Sequence, residues 1–338
     1  MSAPGPDVSP VLFFETVNAY QRSAVIKAAL ELDVFTAIGE GRQSAQAVAE
    51  KCGASERGTR ILCDYLTVMG FLTKQDNRYH LTADSAVFLD RRSPAFLGGS
   101  VDFLLSPMLV DGFKDLAAAV RKGGTTISDE GTVSHENPIW IDFARAMGPL
   151  QAMPSELLAK LVMGESNQKL KVLDVAAGHG MFGIAMAAQN PNAEITALDW
   201  PGVLEVAKEN AEKAGVVDRY HFLAGSAFDV DYGSDYDIIL ITNFLHHFDP
   251  PTCEQFLKKV HRALREDGRA VTLEFVPNED RVSPPEAAKF SLMMLGSTPK
   301  GDAYTFSELE RMFANAGFSR SDLHALPPAL NQVVISRK

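Results

Sequence analysis

One stretch constrains this chain more than any other. Leu170-Lys171-Val172-Leu173-Asp174-Val175 is followed two residues later by Gly178-His179-Gly180-Met181-Phe182-Gly183, and an apolar run continues to Gln189. The first piece reads as a buried strand, the glycines as a tight turn and the remainder as a helix. The same alternation then repeats. Strands are expected at 194–199, 220–223, 237–242, 269–275 and 333–336, with helices at 203–214, 252–265 and 307–316. Strand and helix in alternation predict an α/β fold, a mostly parallel sheet covered by helices, from about residue 166 to 338.

Upstream the pattern differs. A helix is expected over 11–32, a second from Ser44 to Glu50 closed by Gly53, and a third from about Ser55 to Met69, with apolar Ile61, Leu62, Tyr65, Leu66 and Met69 at helical spacing. Two short strands around Gln75-Asp76-Asn77 complete a winged-helix pattern within residues 1–95. Residues 96–165 read as linking helices, where Trp140, Phe143 and Met147 share one helical face as either core or pocket wall. A length of 338 residues suits such a division, and the Pro-rich start is expected to lack structure.

Composition removes several function classes. With 46% hydrophobic and 22% charged residues the chain can bury a core, which argues against disorder. No apolar run approaches the roughly 20 residues of a membrane span, and the first residues lack a signal-peptide pattern, so a cytoplasmic protein without a membrane partner is expected. Cys52, Cys63 and Cys253 are odd in number and show no metal spacing, which suggests reduced packing residues and no metal. The net charge of -11 argues against a nucleic-acid partner. In the third helix of the winged-helix segment, Arg57 and Arg60 are offset by Glu56 and Asp64.

The glycine turn with Asp199 at the end of the following strand also matches a dinucleotide fingerprint. Asp174, four residues before the first glycine, separates the readings. A carboxylate there would repel a pyrophosphate and attract an ammonium group. S-adenosylmethionine carries an ammonium, a sulfonium and a ribose, and no phosphate, so the carboxylate favours that cofactor.

Residues 173–180 resemble the first motif of class I S-adenosylmethionine-dependent methyltransferases. Residues 198–203 resemble the ribose-binding acid and following stretch of the small-molecule O-methyltransferases of plants and bacteria. Gly225-Ser226-Ala227-Phe228 is similar to that family's adenine-contacting turn, and residues 243–248 to its catalytic histidine segment. The resemblance covers nearly the whole chain and implies a Rossmann-like methyltransferase domain behind a winged-helix dimerisation domain, hence a homodimer. It implies that Asp174, Gly178, Gly180, Asp199, Trp200, Gly225, Ser226, Ala227, Phe228 and Asn243 hold the cofactor, whose product is S-adenosylhomocysteine.

The resemblance also makes His246 the general base, supported by Glu274, and an imidazole of ordinary pKa near about 6.5 can accept a hydroxyl proton at neutral pH. Trp140, Phe143, Met147, His247, Phe290, Met293 and Met294 are implied around a small acceptor, aromatic or polyketide-like, of the kind met in secondary metabolism. Of the adjacent pair Met293 and Met294, one is expected in the core. Three positions depart from the family pattern: Ala303 replaces a second orienting glutamate, Ser226 an aspartate, and His247 the aspartate after the base. Methyl transfer to nitrogen or carbon is the nearest alternative. A nicotinamide-dependent oxidoreductase and a winged-helix regulator are the readings from other classes.

Overall fold

The computed structural model describes residues 8–165 and 167–338, and the start up to residue 7 lies outside them. The chain divides into two compact units between Val101 and Asp102. In the first, helices α1 (Val11–Val17), α2 (Tyr20–Glu31), α3 (Val34–Gly39), α4 (Ala45–Cys52) and α5 (Glu56–Val68) precede strands β1 (Leu72–Gln75) and β2 (Arg78–Leu81), and α6 (Ala83–Phe88) follows. Ser44 and Ser55 cap α4 and α5 by accepting the Ala47 and Gly58 N–H. Asp76 and Asn77, both at positive φ, turn the antiparallel hairpin. Phe35, Val48, Cys63, Leu66, Leu72 and Tyr79 form the core of this unit.

The helix expected over 11–32 is broken in two. Asn18 donates its side-chain amide to the Phe14 carbonyl at 2.9 Å, and the backbone tightens to Ala19 N–H on Thr16 and Gln21 N–H on Asn18. A short amide that competes for backbone partners ends α1 there. Helix α1 buries none of its residues, and Val11, Leu12, Phe13, Phe14 and Val17 are exposed.

From Val101 onward come α7 (Val101–Leu104), α8 (Pro107–Asp111), α9 (Leu116–Lys122) and α10 (Ile139–Met163). Then β3 (Leu170–Val175), α11 (Met181–Gln189), β4 (Ala193–Asp199), α12 (Pro201–Lys213), β5 (Tyr220–Ala224) and β6 (Tyr236–Thr242) alternate as expected. The chain closes with α13 (Pro250–Ala263), β7 (Leu264–Glu274), α14 (Pro285–Ser297), α15 (Phe306–Asn315), β8 (Arg320–Ala325) and β9 (Gln332–Arg337). The seven strands are ordered β5-β4-β3-β6-β7-β9-β8, parallel up to β7, with β9 antiparallel to both neighbours.

Alternation along the strands builds a core on each face of this sheet. Leu173, Val175, Ile239 and Ile241 pack with Phe256 and Phe313 on one side. Val172, Ile195, Ile238 and Leu240 pack with Leu158 and Phe182 on the other. Strand β7 starts at Leu264, five residues before the expected strand, and α13 ends correspondingly early. Strand β8, Arg-Ser-Asp-Leu-His-Ala, is an additional strand whose polar composition suits a sheet edge.

Candidate active site

Parallel pairing sets the strand ends side by side, so the C-terminal edge gathers Asp174, Asp199, Thr242 and Glu274 from four strands. Ligands bind at this edge in open α/β sheets.

At the end of β3, Asp174 is fully buried. Its Oδ2 accepts the Gly183 N–H at 3.1 Å, while Oδ1 has no hydrogen-bond partner among the described residues. Burial, followed by the repulsion of Asp199, pushes its carboxyl up to about 8. A buried carboxylate oxygen left open in this way suits a cationic group. Glycine is required beside it: a Cβ on Gly183 would lie 2.9 Å from Ile195 and 3.0 Å from Asp174 Oδ2. A Cβ on Gly178 would approach the Phe143 ring at 3.4 Å in a residue already at φ 57°.

Asp199 ties the turn together. Its Oδ2 accepts the Gly178 N–H at 2.8 Å and its Oδ1 the Trp200 N–H at 2.7 Å. Burial raises this carboxyl to about 6. Each oxygen keeps a second lone pair with which it can accept a hydroxyl such as a ribose offers. Gly225 N–H donates to the Asp199 carbonyl at 2.9 Å, which fixes the next turn to β4. In that turn the Ser226 hydroxyl accepts the Phe228 N–H at 3.1 Å, so it braces its own loop. Lys259, on α13, donates to the Ala227 and Phe228 carbonyls at 3.2 and 2.8 Å and lies over the Tyr232 ring. Phe228 itself leans on Phe248 and Phe256. Asn243, at φ 52°, accepts at its side chain from Asn331 at 3.2 Å.

His246 and Glu274 meet. His246 is 4% exposed, and its Nδ1 lies 2.5 Å from Glu274 Oε2. Glu274 Oε1 accepts the Phe244 and Leu245 N–H at 3.0 and 2.9 Å. With Oε1 so engaged, the carboxylate acts as the acceptor and His246 Nδ1–H as the donor, leaving the Nε2 lone pair free to take a proton. Ala303 is buried, and the neighbouring Asp302 pairs with Arg281 at 3.3 Å. Gly301 lets its segment press on this loop, since a Cβ there would sit 2.2 Å from the His246 carbonyl.

Aromatic rings run from His246 to the glycine turn. Phe290 stands edge-on to His246 at 4.8 Å, and His247 lies 4.2 Å from His246, centroid to centroid. Trp140 meets His247 at 5.1 Å and Phe143 at 5.8 Å. Phe143 then stacks on His179 at 5.9 Å. Met147 is half-buried one turn further along α10; Met293 is half-buried on α14 and Met294 is buried. Trp200 packs instead on His135, at 4.7 Å.

This geometry accompanies a clear likeness to known proteins. The O-methyltransferase domain matches residues 132–319, and the O-methyltransferase dimerisation domain matches residues 14–91. The chain belongs to the O-methyltransferase family. A crystal structure of an O-methyltransferase candidate from Nostoc punctiforme shares 60% identity, covering 98% of this chain and all of that one, with a TM-score of 0.95. The 3-hydroxy-5-methyl-1-naphthoate 3-O-methyltransferase of Streptomyces sahachiroi is 26% identical, over 97% of this chain and 95% of its own length. Human N-acetylserotonin methyltransferase in complex with SAM has the same fold, with a TM-score of 0.86 at 21% identity across 100% and 99% of the two chains. No described helix is long and apolar enough to cross a membrane.

Four residues near the site escaped the sequence reading. His179 is the variable residue inside the glycine motif; it is buried, which lowers its imidazole to about 4, and its Nδ1 accepts the Met181 N–H at 3.1 Å. A titratable residue between the glycines was the available signal. Lys259, Asn331 and Phe103, which meets Phe143 edge-on at 5.1 Å, arrive from distant segments and carry no local signal.

Proposed function

We propose that this O-methyltransferase methylates a hydroxyl of a small aromatic acceptor, with His246 as the general base. The observation that carries the reading is the His246–Glu274 pair, 2.5 Å apart, with the far carboxylate oxygen held by two backbone N–H groups. Asp174 would face the ammonium of the cofactor, Asp199 its ribose, and Trp200 and the 225–228 turn its adenine, with Gly178, Gly180 and Asn243 completing the cradle. When bound, S-adenosylmethionine supplies a methyl group activated by its sulfonium and leaves as S-adenosylhomocysteine.

His246 Nε2 takes the hydroxyl proton, and Glu274 stabilises the imidazolium that forms. The acceptor ring would rest against Phe290, Trp140, Phe143, Met147 and Met293, a wall of aromatic faces and thioethers suited to a flat molecule. An imidazole held by a carboxylate performs the proton transfer without a metal ion. Exposed apolar α1, within the segment matched by the dimerisation domain, supports a homodimer. Domain boundaries near residues 95 and 165 remain our reading of the chain.

Calorimetry with S-adenosylhomocysteine and turnover of 2-naphthol test the assignment. His246→Ala should lower kcat by about 10² to 10⁴-fold while leaving S-adenosylhomocysteine affinity intact. Unchanged turnover in the variant would remove the base assignment.

A further inference from the structure

The proton on each of the two adjacent histidines is placed by its partner. His246 Nδ1 faces the Glu274 carboxylate, and His247 Nδ1 lies 3.1 Å from the Phe244 carbonyl oxygen. A carbonyl oxygen only accepts, so His247 Nδ1 carries the hydrogen and its Nε2 presents a lone pair. Burial and the neighbouring His246 hold the His247 imidazole well below its usual range, which keeps it neutral. The rings are 4.2 Å apart, and His247 also meets Trp140 of the aromatic wall. Each of these neighbouring rings, on one short helical turn, thus keeps an Nε2 that can only accept a hydrogen bond.

We infer that the acceptor carries a second hydrogen-bond donor next to the methylated hydroxyl, as in a vicinal dihydroxy aromatic, and that His247 Nε2 receives it. This rests on the reading of His246 as base. One hydroxyl gives its proton to His246 while the neighbouring O–H donates to His247 without being deprotonated. An acceptor lacking the second donor leaves a partly buried nitrogen unpaired, a loss that disfavours it by about tenfold or more. A carboxylate at this position could also attract a cationic amine; a neutral imidazole gives up that attraction and reads only the donor.

A matched pair isolates the effect: 2,3-dihydroxynaphthalene and 2-naphthol differ by one hydroxyl. The protein should show a kcat/KM at least about tenfold higher for the diol, after correction for its two equivalent oxygens, and tighter diol binding to the S-adenosylhomocysteine-loaded protein. His247→Phe should collapse that ratio toward one, chiefly through the KM for the diol, and His247→Gln, which restores an acceptor atom, should recover part of it. Equal kcat/KM for the two compounds, a ratio unchanged in His247→Phe, or binding of neither compound to the loaded protein would each overturn the inference. Those results leave the methyltransferase reading standing, whereas failure of S-adenosylhomocysteine to bind would overturn that reading itself.

Discussion

The two halves of the candidate site are built by different means. The cofactor side is local: Asp174, the glycine turn, Asp199 and the 225–228 turn come from about 55 consecutive residues, each at a strand end whose position follows from parallel pairing. The acceptor side is assembled from pieces far apart in the chain. Thr125 N–H donates to the Thr298 carbonyl at 2.9 Å, its hydroxyl to Gly296 at 2.7 Å, and the Thr132 hydroxyl to Ser297 at 3.2 Å. Trp140 Nε1–H then donates to the Thr132 carbonyl at 3.0 Å, which joins the aromatic wall of α10 to the end of α14. A local site can be kept intact while a non-local one is repacked, so cofactor binding and acceptor choice should respond to different substitutions.

The largest expected effect falls where the halves meet. In Glu274→Gln the amide oxygen can still accept the Phe244 and Leu245 N–H groups, which turns the amide NH₂ toward His246. His246 Nδ1 must then accept, its proton moves to Nε2, and the base is lost. We expect kcat to fall by about 10²-fold or more, with S-adenosylhomocysteine affinity changed little. Near-normal kcat would show that Glu274 does not set the tautomer. Asp174→Asn should act on the cofactor half alone. The amide oxygen can still accept the Gly183 N–H, but the ammonium partner is gone, and S-adenosylhomocysteine should bind about 10²-fold more weakly in calorimetry. A change of less than about threefold would place the ammonium elsewhere.

The same contrast governs what could be read from sequence. Strand, glycine turn and helix announced the cofactor half because each local signal agrees with the global fold. Asp174 was picked out by its charge and by the motif around it; its buried Oδ1 has no hydrogen-bond partner among the described residues. His246 and Glu274 were legible only through resemblance; nothing in their spacing of 28 residues implies a 2.5 Å contact. The acceptor half was named by residue type but its frame was not. Thr125, Gly124 and Lys259 make contacts fixed by tertiary packing; a Gly-Gly-Thr-Thr run reads as a surface turn, and a lysine on a helix as a surface residue, until the partner is known. The break at Asn18 and the polar strand β8 were missed for the related reason that periodicity is blind to a single competing side chain and to an edge.

Protonation should expose the cofactor half directly. Burial pushes the Asp174 carboxyl up to about 8 in the folded chain, above the roughly 3.9 of an unfolded aspartate. Between those values the folded chain binds the extra proton, so this contribution to stability is complete below about pH 4 and is lost as pH rises through 8. The melting temperature of the ligand-free protein should therefore carry a component that declines from pH 5 to pH 9, and Asp174→Asn should flatten it. An ammonium beside Asp174 reverses the preference, so S-adenosylhomocysteine binding at pH 7 should release close to one proton. Affinity would then rise about tenfold per pH unit between 6 and 7.5. Calorimetry in buffers of different ionisation enthalpy measures the release directly; none would mean that the carboxylate is already ionised in the free protein.

The smallest effect tests whether the acceptor half can be moved alone. A Cβ added at Gly124 would lie 2.0 Å from the Pro299 carbonyl oxygen, and backbone rather than a flexible side chain is what it meets. Gly124→Ala must push the 124–132 segment away from the end of α14, at a cost of about 1–3 kcal/mol in stability. Because Thr132 holds Trp140, the displacement reaches the aromatic wall without touching Asp174 or Asp199. The KM for an aromatic acceptor should rise about fivefold, while S-adenosylhomocysteine affinity stays within about twofold. If both constants weakened together, the two halves would be one mechanical unit, and acceptor choice could not be altered without loosening the cofactor.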